Sequence, residues 1–155
     1  MIEKILQKFV EEARETGLPL EAIAVGDESK VIFEHHFVPD RPRNIYSHTK
    51  SFMSTAAGIA IAEGKLSLED RPADFFEDKL PSNPSPRLLS IRLKDLLTMS
   101  SGFGKGLLMG ADRRAGTGVP DYVSYLFSQE VIEEPGTRFH YSTGDSILAG
   151  RMVEE

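Results

Sequence analysis

The spacing of apolar residues predicts an amphipathic helix at the start of the chain. Apolar residues recur at intervals of three and four positions, at Ile2, Ile5, Leu6, Phe9, Val10 and Ala13. This spacing places them on one face of an α-helix. Gly17 and Pro19 follow, and both residue types commonly end helices. We therefore expect a helix that packs through one face and stops at Gly17.

Two apolar runs after this helix predict an antiparallel hairpin. Residues 20–26 and 31–38 are strand-like, and the polar residues 27–29 between them are typical of a turn. A polar stretch then leads into a long helical pattern, residues 47–64, which is apolar nearly all round. A helix of this kind is expected to lie in a core.

The rest of the chain predicts short helices separated by loops. Helices are expected at residues 91–99, 121–127 and 145–155, with turns at 64–70 and 134–137 and a proline-rich surface loop at 80–86. Residues 102–118 hold six of the thirteen glycines without a clear period, which predicts a mobile loop that borders a site. A chain of 155 residues is long enough for one domain with a substantial core, so we expect a single domain over residues 1–155.

Composition excludes several classes of partner. Lys and Arg number 18 against 24 Asp and Glu, giving a net charge of −6, and the charges are interspersed, which argues against nucleic acid as a partner. There is no cysteine, as expected in a reducing compartment. The N-terminal residues do not resemble a signal peptide, and no apolar run approaches the roughly 20 residues that span a bilayer. We expect a soluble, cytoplasmic protein with no membrane partner.

The start of the long helix carries a candidate nucleophile and base. Ser47 and Lys50 are three residues apart, so on a helix they share one face and the amine can reach the hydroxyl. A cation in the first turn opposes the helix dipole, which is unfavourable unless the charge is used. In the alternative interpretation Ser47 is a helix N-cap and Lys50 is a solvated surface residue. The spacing alone leaves both interpretations open.

Four blocks of sequence make the interpretation more specific. Residues 46–52, 62–70, 91–102 and 135–142 occur in an order and at separations that resemble the serine beta-lactamase-like family. The likeness is greatest to class C type beta-lactamases, D-alanyl-D-alanine carboxypeptidases and related esterases, and it extends from about Leu18 to the end of the chain. The resemblance implies the N-terminal part of that family's α+β fold, with a helix and an antiparallel hairpin followed by a mostly helical region.

The resemblance also implies site residues and a reaction. Ser47 is expected to be the acylated nucleophile, Lys50 its activating base, and Tyr141 a proton shuttle that protonates the leaving group and assists deacylation. Thr143 stands where the family has asparagine, so it is expected to bind substrate with altered preference. The implied activity is that of a serine hydrolase on a small-molecule ester or amide, without metal or organic cofactor.

One family element does not follow Tyr141 in this sequence. Family members are longer, and their C-terminal part carries a Lys-Thr-Gly or His-x-Gly strand that supplies an amide to the oxyanion hole. Loss of one such donor typically costs roughly 10² to 10³ in rate, so we expect this chain alone to be a poor catalyst. A catalytically incomplete fragment or a non-catalytic ligand-binding module of the same family is the alternative function. An open sheet edge further predicts self-association.

The four histidines are weaker candidates for chemistry. His35 and His36 are adjacent in a predicted strand, so they point to opposite faces and cannot both bind one metal ion. His48 is expected to pack at the rim of the site. His140 is expected to point away from its neighbour Tyr141 if the segment is extended. We therefore expect no metal site.

Overall fold

The computed structural model describes residues 2–116 and 121–155. The chain divides into two compact units, with the boundary between Asn44 and Ile45. In the described residues the first unit contains one helix and two strands, and the second contains only helices and loops. The architecture is α+β, as predicted. Residues 117 and 118 of the predicted glycine-rich loop lie outside the described residues.

The first unit begins with the predicted amphipathic helix. Helix α1 spans Ile2–Glu15, and its buried residues are Val10 and Ala13. Gly17 follows with a φ of +66°, a left-handed conformation that glycine adopts readily and that commonly ends helices. The prediction of a helix that stops at Gly17 is confirmed.

The predicted hairpin is also present. Strands β1 (Ala22–Gly26) and β2 (Val31–His36) pair antiparallel, with Ala22 opposite His36. The turn is closed by Asp27, whose carboxylate accepts hydrogen bonds from two backbone amides within the turn. This side chain replaces the ladder bonds that the turn residues lack. Both strands are shorter than the apolar runs that predicted them.

The second unit is helical. Its α-helices in the described residues are α2 (Thr49–Ala62), α3 (Pro72–Phe75), α4 (Pro86–Ser90), α5 (Leu93–Leu97), α6 (Gly110–Ala115), α7 (Tyr122–Phe127) and α8 (Thr143–Glu154). Two 3₁₀ helices, Tyr46–His48 and Glu77–Lys79, add single turns. None of the helices in the described parts of the chain is long and apolar enough to cross a membrane.

Helix α8 lies at the centre of the second unit, where it packs against α2, α3, α5 and α7. Its buried face contains Asp145, Leu148, Ala149 and Met152, which are spaced as i, i+3, i+4 and i+7. Full burial of an aliphatic side chain of this size stabilises a fold by about 1.5–3 kcal/mol. The buried face therefore fixes α8 in the core of the second unit. Tyr141 lies two residues before the start of this helix, so the position of α8 bears on the position of Tyr141.

Two predictions about the second unit are wrong. Helix α2 was expected to lie in the core, but its only buried residue is Ala57, and Phe52 and Ile59 are more than half exposed. Apolar composition predicts burial only where another element covers each face, and here α8 is the main neighbour of α2. Residues 102–116 were expected to be a mobile loop, but they contain α6 and bury Leu107 and Leu108.

Candidate functional site

Ser47 lies one turn before helix α2. The 3₁₀ helix Tyr46–His48 contains it, and the α-helix begins only at Thr49. The N-cap of α2 is His48, and its side chain makes no capping hydrogen bond. The alternative interpretation of Ser47 as the N-cap is therefore wrong, so its hydroxyl is not used to terminate this helix.

The backbone immediately before Ser47 is strained. Tyr46 has a φ of +46°, in the left-handed region that side chains other than glycine rarely adopt. Such a conformation costs roughly 1–2 kcal/mol per residue. Strained residues of this kind occur preferentially at functional sites, where the surrounding structure holds them. The strain thus marks the turn that presents Ser47.

Lys50 lies one helical turn beyond Ser47. Its Nζ atom is 3.5 Å from Ser47 Oγ, at the long limit of a hydrogen bond. This position matches the prediction from the three-residue spacing. Catalytic hydrogen bonds are often long in a protein without bound substrate, so this distance is compatible with a general base.

Tyr141 reaches the same hydroxyl from a distant part of the sequence. Its phenol OH donates a hydrogen bond of 2.7 Å to Ser47 Oγ. The Nζ atom of Lys50 also lies 5.0 Å from the centroid of the tyrosine ring, within cation–π range. Hydrogen bonding with Ser47, then with Lys50, lowers the pKa of Tyr141 below its usual value of 10.0, and partial burial opposes this only in part. The predicted proximity of Ser47, Lys50 and Tyr141 is found.

Thr143, the predicted substrate-binding residue, is the first residue of α8. Its hydroxyl donates a long hydrogen bond of 3.6 Å to Met109 Sδ. The residue between it and the tyrosine, Ser142, is the N-cap of α8 and accepts a hydrogen bond from the Asp145 amide. Tyr141 therefore stands directly before a well-capped helix.

The histidines occupy packing and ion-pair positions. The His48 ring contacts Phe52 edge-on at a centroid distance of 5.5 Å. His140 Nε2 lies 2.8 Å from a carboxylate oxygen of Glu133. Within residues 2–116 and 121–155, no group of three or more His, Asp or Glu side chains could hold a metal ion.

Asp145 is a feature that sequence reasoning missed. Its side chain is fully buried, and neither carboxyl oxygen has a hydrogen-bond partner among the described residues. Burial raises the pKa of Asp145 from 3.8 to about 6, although the nearby Ser101 and Ser142 lower it somewhat without reaching either oxygen in hydrogen-bond geometry. The available signal was its spacing of three, four and seven residues from Leu148, Ala149 and Met152, which places a carboxyl on an apolar helix face.

The fold and the sequence together identify the class of protein. The model of the family described as Beta-lactamase matches residues 2–155, and this chain belongs to that family. The described fold agrees with this membership, since nearly the whole chain superposes on two solved structures of beta-lactamase-like proteins.

Three relatives show how far the similarity extends. The crystal structure of the "putative beta-lactamase" of Bacteroides dorei DSM 17855 superposes with a TM-score of 0.69 at 20% identity, over 97% of this chain and 45% of that one. The octameric penicillin-binding protein homologue from Pyrococcus abyssi gives a TM-score of 0.65 at 25% identity, over 99% of this chain and 38% of that one. The "Putative fimbrial assembly protein FimD, serogroup D" of Dichelobacter nodosus is 28% identical over 131 residues, which is 79% of this chain and 33% of that protein. The chain thus spans less than half the length of each of these three relatives.

Proposed function

We propose that this chain carries the nucleophilic part of a serine hydrolase that cleaves a small-molecule ester or amide through an acyl-serine intermediate. Ser47 is the nucleophile, Lys50 the activating base and Tyr141 the proton shuttle. Membership of the Beta-lactamase family supports a reaction of this general kind. The proposal needs no metal ion or organic cofactor.

The observation that carries the proposal is the convergence of two proton-transferring groups on one serine. Tyr141 Oη lies 2.7 Å and Lys50 Nζ 3.5 Å from Ser47 Oγ, although the tyrosine is separated from the serine by 94 residues of sequence. A nucleophilic serine requires a base within hydrogen-bond reach and a second group that handles the proton. A serine that serves only as a surface residue does not require an amine and a phenol at its hydroxyl.

Acylation follows from this geometry. Lys50 in its neutral form accepts the Ser47 proton as Oγ attacks the substrate carbonyl, forming a tetrahedral intermediate with charge on the carbonyl oxygen. Collapse of that intermediate expels the alcohol or amine, which takes a proton from Tyr141. The products of this half-reaction are the acyl-serine and the released leaving group.

Deacylation uses the same groups in reverse. Tyr141, now a phenolate, accepts a proton from water as the water oxygen attacks the acyl carbonyl. Hydrogen bonds with Ser47 and then with Lys50 lower the pKa of Tyr141, so its phenolate forms more readily than the phenolate of a tyrosine in water. Lys50 returns the proton that it accepted during acylation to Ser47 Oγ, which leaves as the hydroxyl, and the carboxylic acid product is released.

Thr143 is proposed as a substrate-binding residue of the same site. It follows Tyr141 by two positions, and its hydroxyl is held by Met109. A hydroxyl offers one donor and two acceptor positions, fewer than the amide found at this place in related sequences. We therefore expect a narrower set of polar contacts with the acyl group.

The cytoplasmic location expected from the sequence stays a prediction.

Covalent labelling tests the proposal. A fluorophosphonate probe or a beta-lactam should add its mass to Ser47 in a longer protein that includes the C-terminal strands of the family, and Ser47→Ala should abolish the adduct. The variant Ser54→Ala, which removes another hydroxyl near the start of α2, should label like the wild type. Intact-mass spectrometry measures the adduct, and the 155-residue chain should label weakly or not at all.

The outcomes separate the two functions considered. Lys50→Ala should slow labelling strongly, because the hydroxyl loses its base, whereas Tyr141→Phe should impair turnover more than acylation. If the longer wild-type protein never gains the adduct mass with any such probe, or if Ser47→Ala labels equally well, the hydrolase proposal fails. The non-catalytic ligand-binding module is then the better description.

A further inference from the structure

The position of Tyr141 is not fixed by burial of its ring. The side chain is 41% exposed, so the backbone of its segment must determine where the phenol lies. A nucleophile and its proton shuttle tolerate little displacement, since a misplacement of about 1 Å can cost roughly 10²-fold in rate. The groups that hold this backbone are therefore of functional interest, and they lie on the loop that joins α5 to α6.

Three hydrogen bonds connect that loop to the segment around Tyr141, two through backbone groups and one through the Ser142 hydroxyl. The amide of His140 donates to the Met99 carbonyl at 2.8 Å, and the amide of Gly144 donates to the Leu107 carbonyl at 2.8 Å. The Leu107 amide donates to the Ser142 hydroxyl at 3.3 Å. The loop is thus hydrogen-bonded to residues on both sides of Tyr141.

Two contacts with methionine sulfur atoms further connect the loop to the same segment. The Ser142 amide lies 3.2 Å from Met99 Sδ, and the Thr143 hydroxyl lies 3.6 Å from Met109 Sδ. Sulfur is a weak acceptor, so each contact contributes less than an ordinary hydrogen bond. These contacts matter because they restrain the positions of Ser142 and Thr143, the two residues immediately after Tyr141.

The backbone of the loop is strained at two positions. Among the described residues other than glycine, positive φ values occur at Tyr46, Met99 and Leu108. The first precedes Ser47 directly, and the other two belong to the loop that grips Tyr141. Backbone strain of this kind persists only where the surrounding structure over-determines it. One of the three thus lies in the turn that carries Ser47, and two lie in the loop that contacts the Tyr141 segment.

Gly106 lies close to the backbone of Tyr141. A Cβ atom at Gly106 would lie 2.5 Å from the Tyr141 carbonyl oxygen, well inside van der Waals contact, and 3.3 Å from Met109 Sδ. The φ of Gly106 is not in the left-handed range, so glycine is needed here for space and not for backbone conformation. Any side chain must push either the loop or the Tyr141 backbone away.

We propose that Gly106 is a positioning residue for Tyr141: by leaving room for the Tyr141 carbonyl, it allows the loop to hold the phenol at hydrogen-bond distance from Ser47. The proposal rests on the proposed function for its catalytic consequence. Its structural part, the placement of the phenol, does not depend on any reaction.

The variant Gly106→Ala tests this placement, with Gly58→Ala as the matched control. Gly58 lies in α2 with nothing within 4 Å of its would-be Cβ and an ordinary φ, so the same methyl group is harmless there. Spectrophotometric titration of tyrosine ionisation, taken as the difference from Tyr141→Phe, isolates one phenol among the four tyrosines. Loss of the Ser47 contact in Gly106→Ala should shift ionisation of Tyr141 to higher pH, whereas Gly58→Ala should titrate like the wild type.

Activity provides a second measurement. In the longer protein that includes the C-terminal strands of the family, Gly106→Ala should lower kcat for p-nitrophenyl acetate hydrolysis by roughly 10- to 100-fold, with a smaller change in KM. In the double variant Gly106→Ala with Tyr141→Phe, the loss should be no greater than in Tyr141→Phe alone, because the glycine acts through the tyrosine. Additive losses would indicate a general structural effect and would overturn the proposal.

A second variant covers the case in which Gly106→Ala does not fold. Met99→Leu removes the sulfur acceptor of the Ser142 amide at nearly constant volume, so it should fold and shift the same titration in the same direction by less. A folded Gly106→Ala, or failing that a folded Met99→Leu, whose Tyr141 titrates like the wild type would overturn the proposal. If the wild type hydrolyses no ester but the titration shifts as expected, the positioning stands and only the proposed function fails.

Discussion

Asp145 is a buried carboxyl group whose oxygens have no hydrogen-bond partner among the described residues. Its pKa of about 6 in the native protein exceeds the ordinary value of 3.8, because burial disfavours the charged form. As pH rises from about 4 to about 6, the unfolded chain releases this proton while the native protein retains it. Stability contributed by the protonated carboxyl is therefore lost over that window, and above it the buried charge remains a constant cost.

This cost gives a prediction about stability and pH. Asp145→Asn should stabilise the protein at pH 7.5 by up to about 3 kcal/mol, because a shift of one pKa unit corresponds to 1.36 kcal/mol. At pH 4 the wild type and the variant should differ little. Urea unfolding at the two pH values measures the difference.

A surface carboxyl provides the control for this prediction. Asp78→Asn changes an exposed side chain, so it should not stabilise the protein at pH 7.5 as Asp145→Asn does. Equal stabilities of wild type and Asp145→Asn at pH 7.5 would show that the carboxyl finds partners in solution.

The candidate site was only partly predictable at the level of single residues. The three-residue spacing of Ser47 and Lys50 predicts their contact from helix geometry alone. Nothing local predicts that Tyr141 reaches Ser47, because that contact depends on the packing of α8 and the α5–α6 loop; the resemblance to a family supplied it. Thr143 was predicted as a site residue, and its role stays a prediction.

At the scale of elements, caps and close packing decide where helices begin and how near they approach. Asp121 is the N-cap of α7, and it accepts hydrogen bonds from the Val123 and Ser124 amides and pairs with Lys79. Partial burial favours the protonated form, but hydrogen bonds from Lys79, from Ser124 and from the two amides outweigh it and lower the pKa of Asp121 to about 2. The stability that Asp121 contributes is present above about pH 4 and is lost as pH falls towards 2.

Two substitutions separate the cap from the ion pair. Asp121→Ala should destabilise the protein at neutral pH by about 0.5–2 kcal/mol, because α7 loses its cap. Asp121→Asn keeps an acceptor for the amides, so it should cost less at neutral pH and should remove this residue's part of the acid-induced loss. Thermal unfolding between pH 2.5 and 7 would distinguish them, and identical behaviour of the two variants would contradict this division.

Gly144 in the first turn of α8 marks a close approach between elements. A Cβ atom there would lie 2.6 Å from Leu126 Cδ2 on α7 and 3.1 Å from Leu107 Cβ. Gly144→Ala should therefore destabilise the protein by about 1–3 kcal/mol through overpacking. Denaturant unfolding measures the change.

Gly150 in the same helix is the matched control. Its would-be Cβ meets nothing closer than 3.7 Å, so Gly150→Ala should be neutral or stabilise by up to about 1 kcal/mol through helix propensity. Similar effects of the two substitutions would show that propensity, and not contact, decides both.

The elements themselves were predictable where a full period was visible. Helices α1, α7 and α8 and the hairpin follow local apolar patterns, and their presence is confirmed. Helices α3 and α4 have four and five residues, too few to show a helical period, and the sequence did not predict them. The exposure of α2 depends on which elements cover it, which a local pattern cannot contain.

At the scale of the whole molecule, an exposed strand edge and exposed apolar residues bear on association with other chains. Strands β1 and β2 form a two-stranded sheet in the described residues, and Val31 on β2 is 60% exposed. Unpaired strand edges are templates for pairing with another chain. We therefore propose, as the sequence predicted, that the chain self-associates through this edge.

Size-exclusion chromatography tests the association. The 155-residue chain should elute earlier as its concentration rises, and Val31→Lys should reduce the effect, because an edge lysine opposes strand pairing. Phe52→Lys, on the exposed face of α2, should change the elution less. A sharp monomer peak at all concentrations would contradict self-association, and a stronger effect of Phe52→Lys would assign it to the helix.

The boundary between Asn44 and Ile45 has a consequence for protein engineering. It falls three residues before Ser47, so Ser47, Lys50, Tyr141 and the loop that holds the tyrosine all belong to one unit. A chimera that takes its first 44 residues from a relative would exchange the helix and hairpin but keep Ser47, Lys50 and Tyr141 together. The same boundary is a suitable crossover point for recombining family members, since a crossover two residues later, between Tyr46 and Ser47, would separate the strained residue from the serine that follows it.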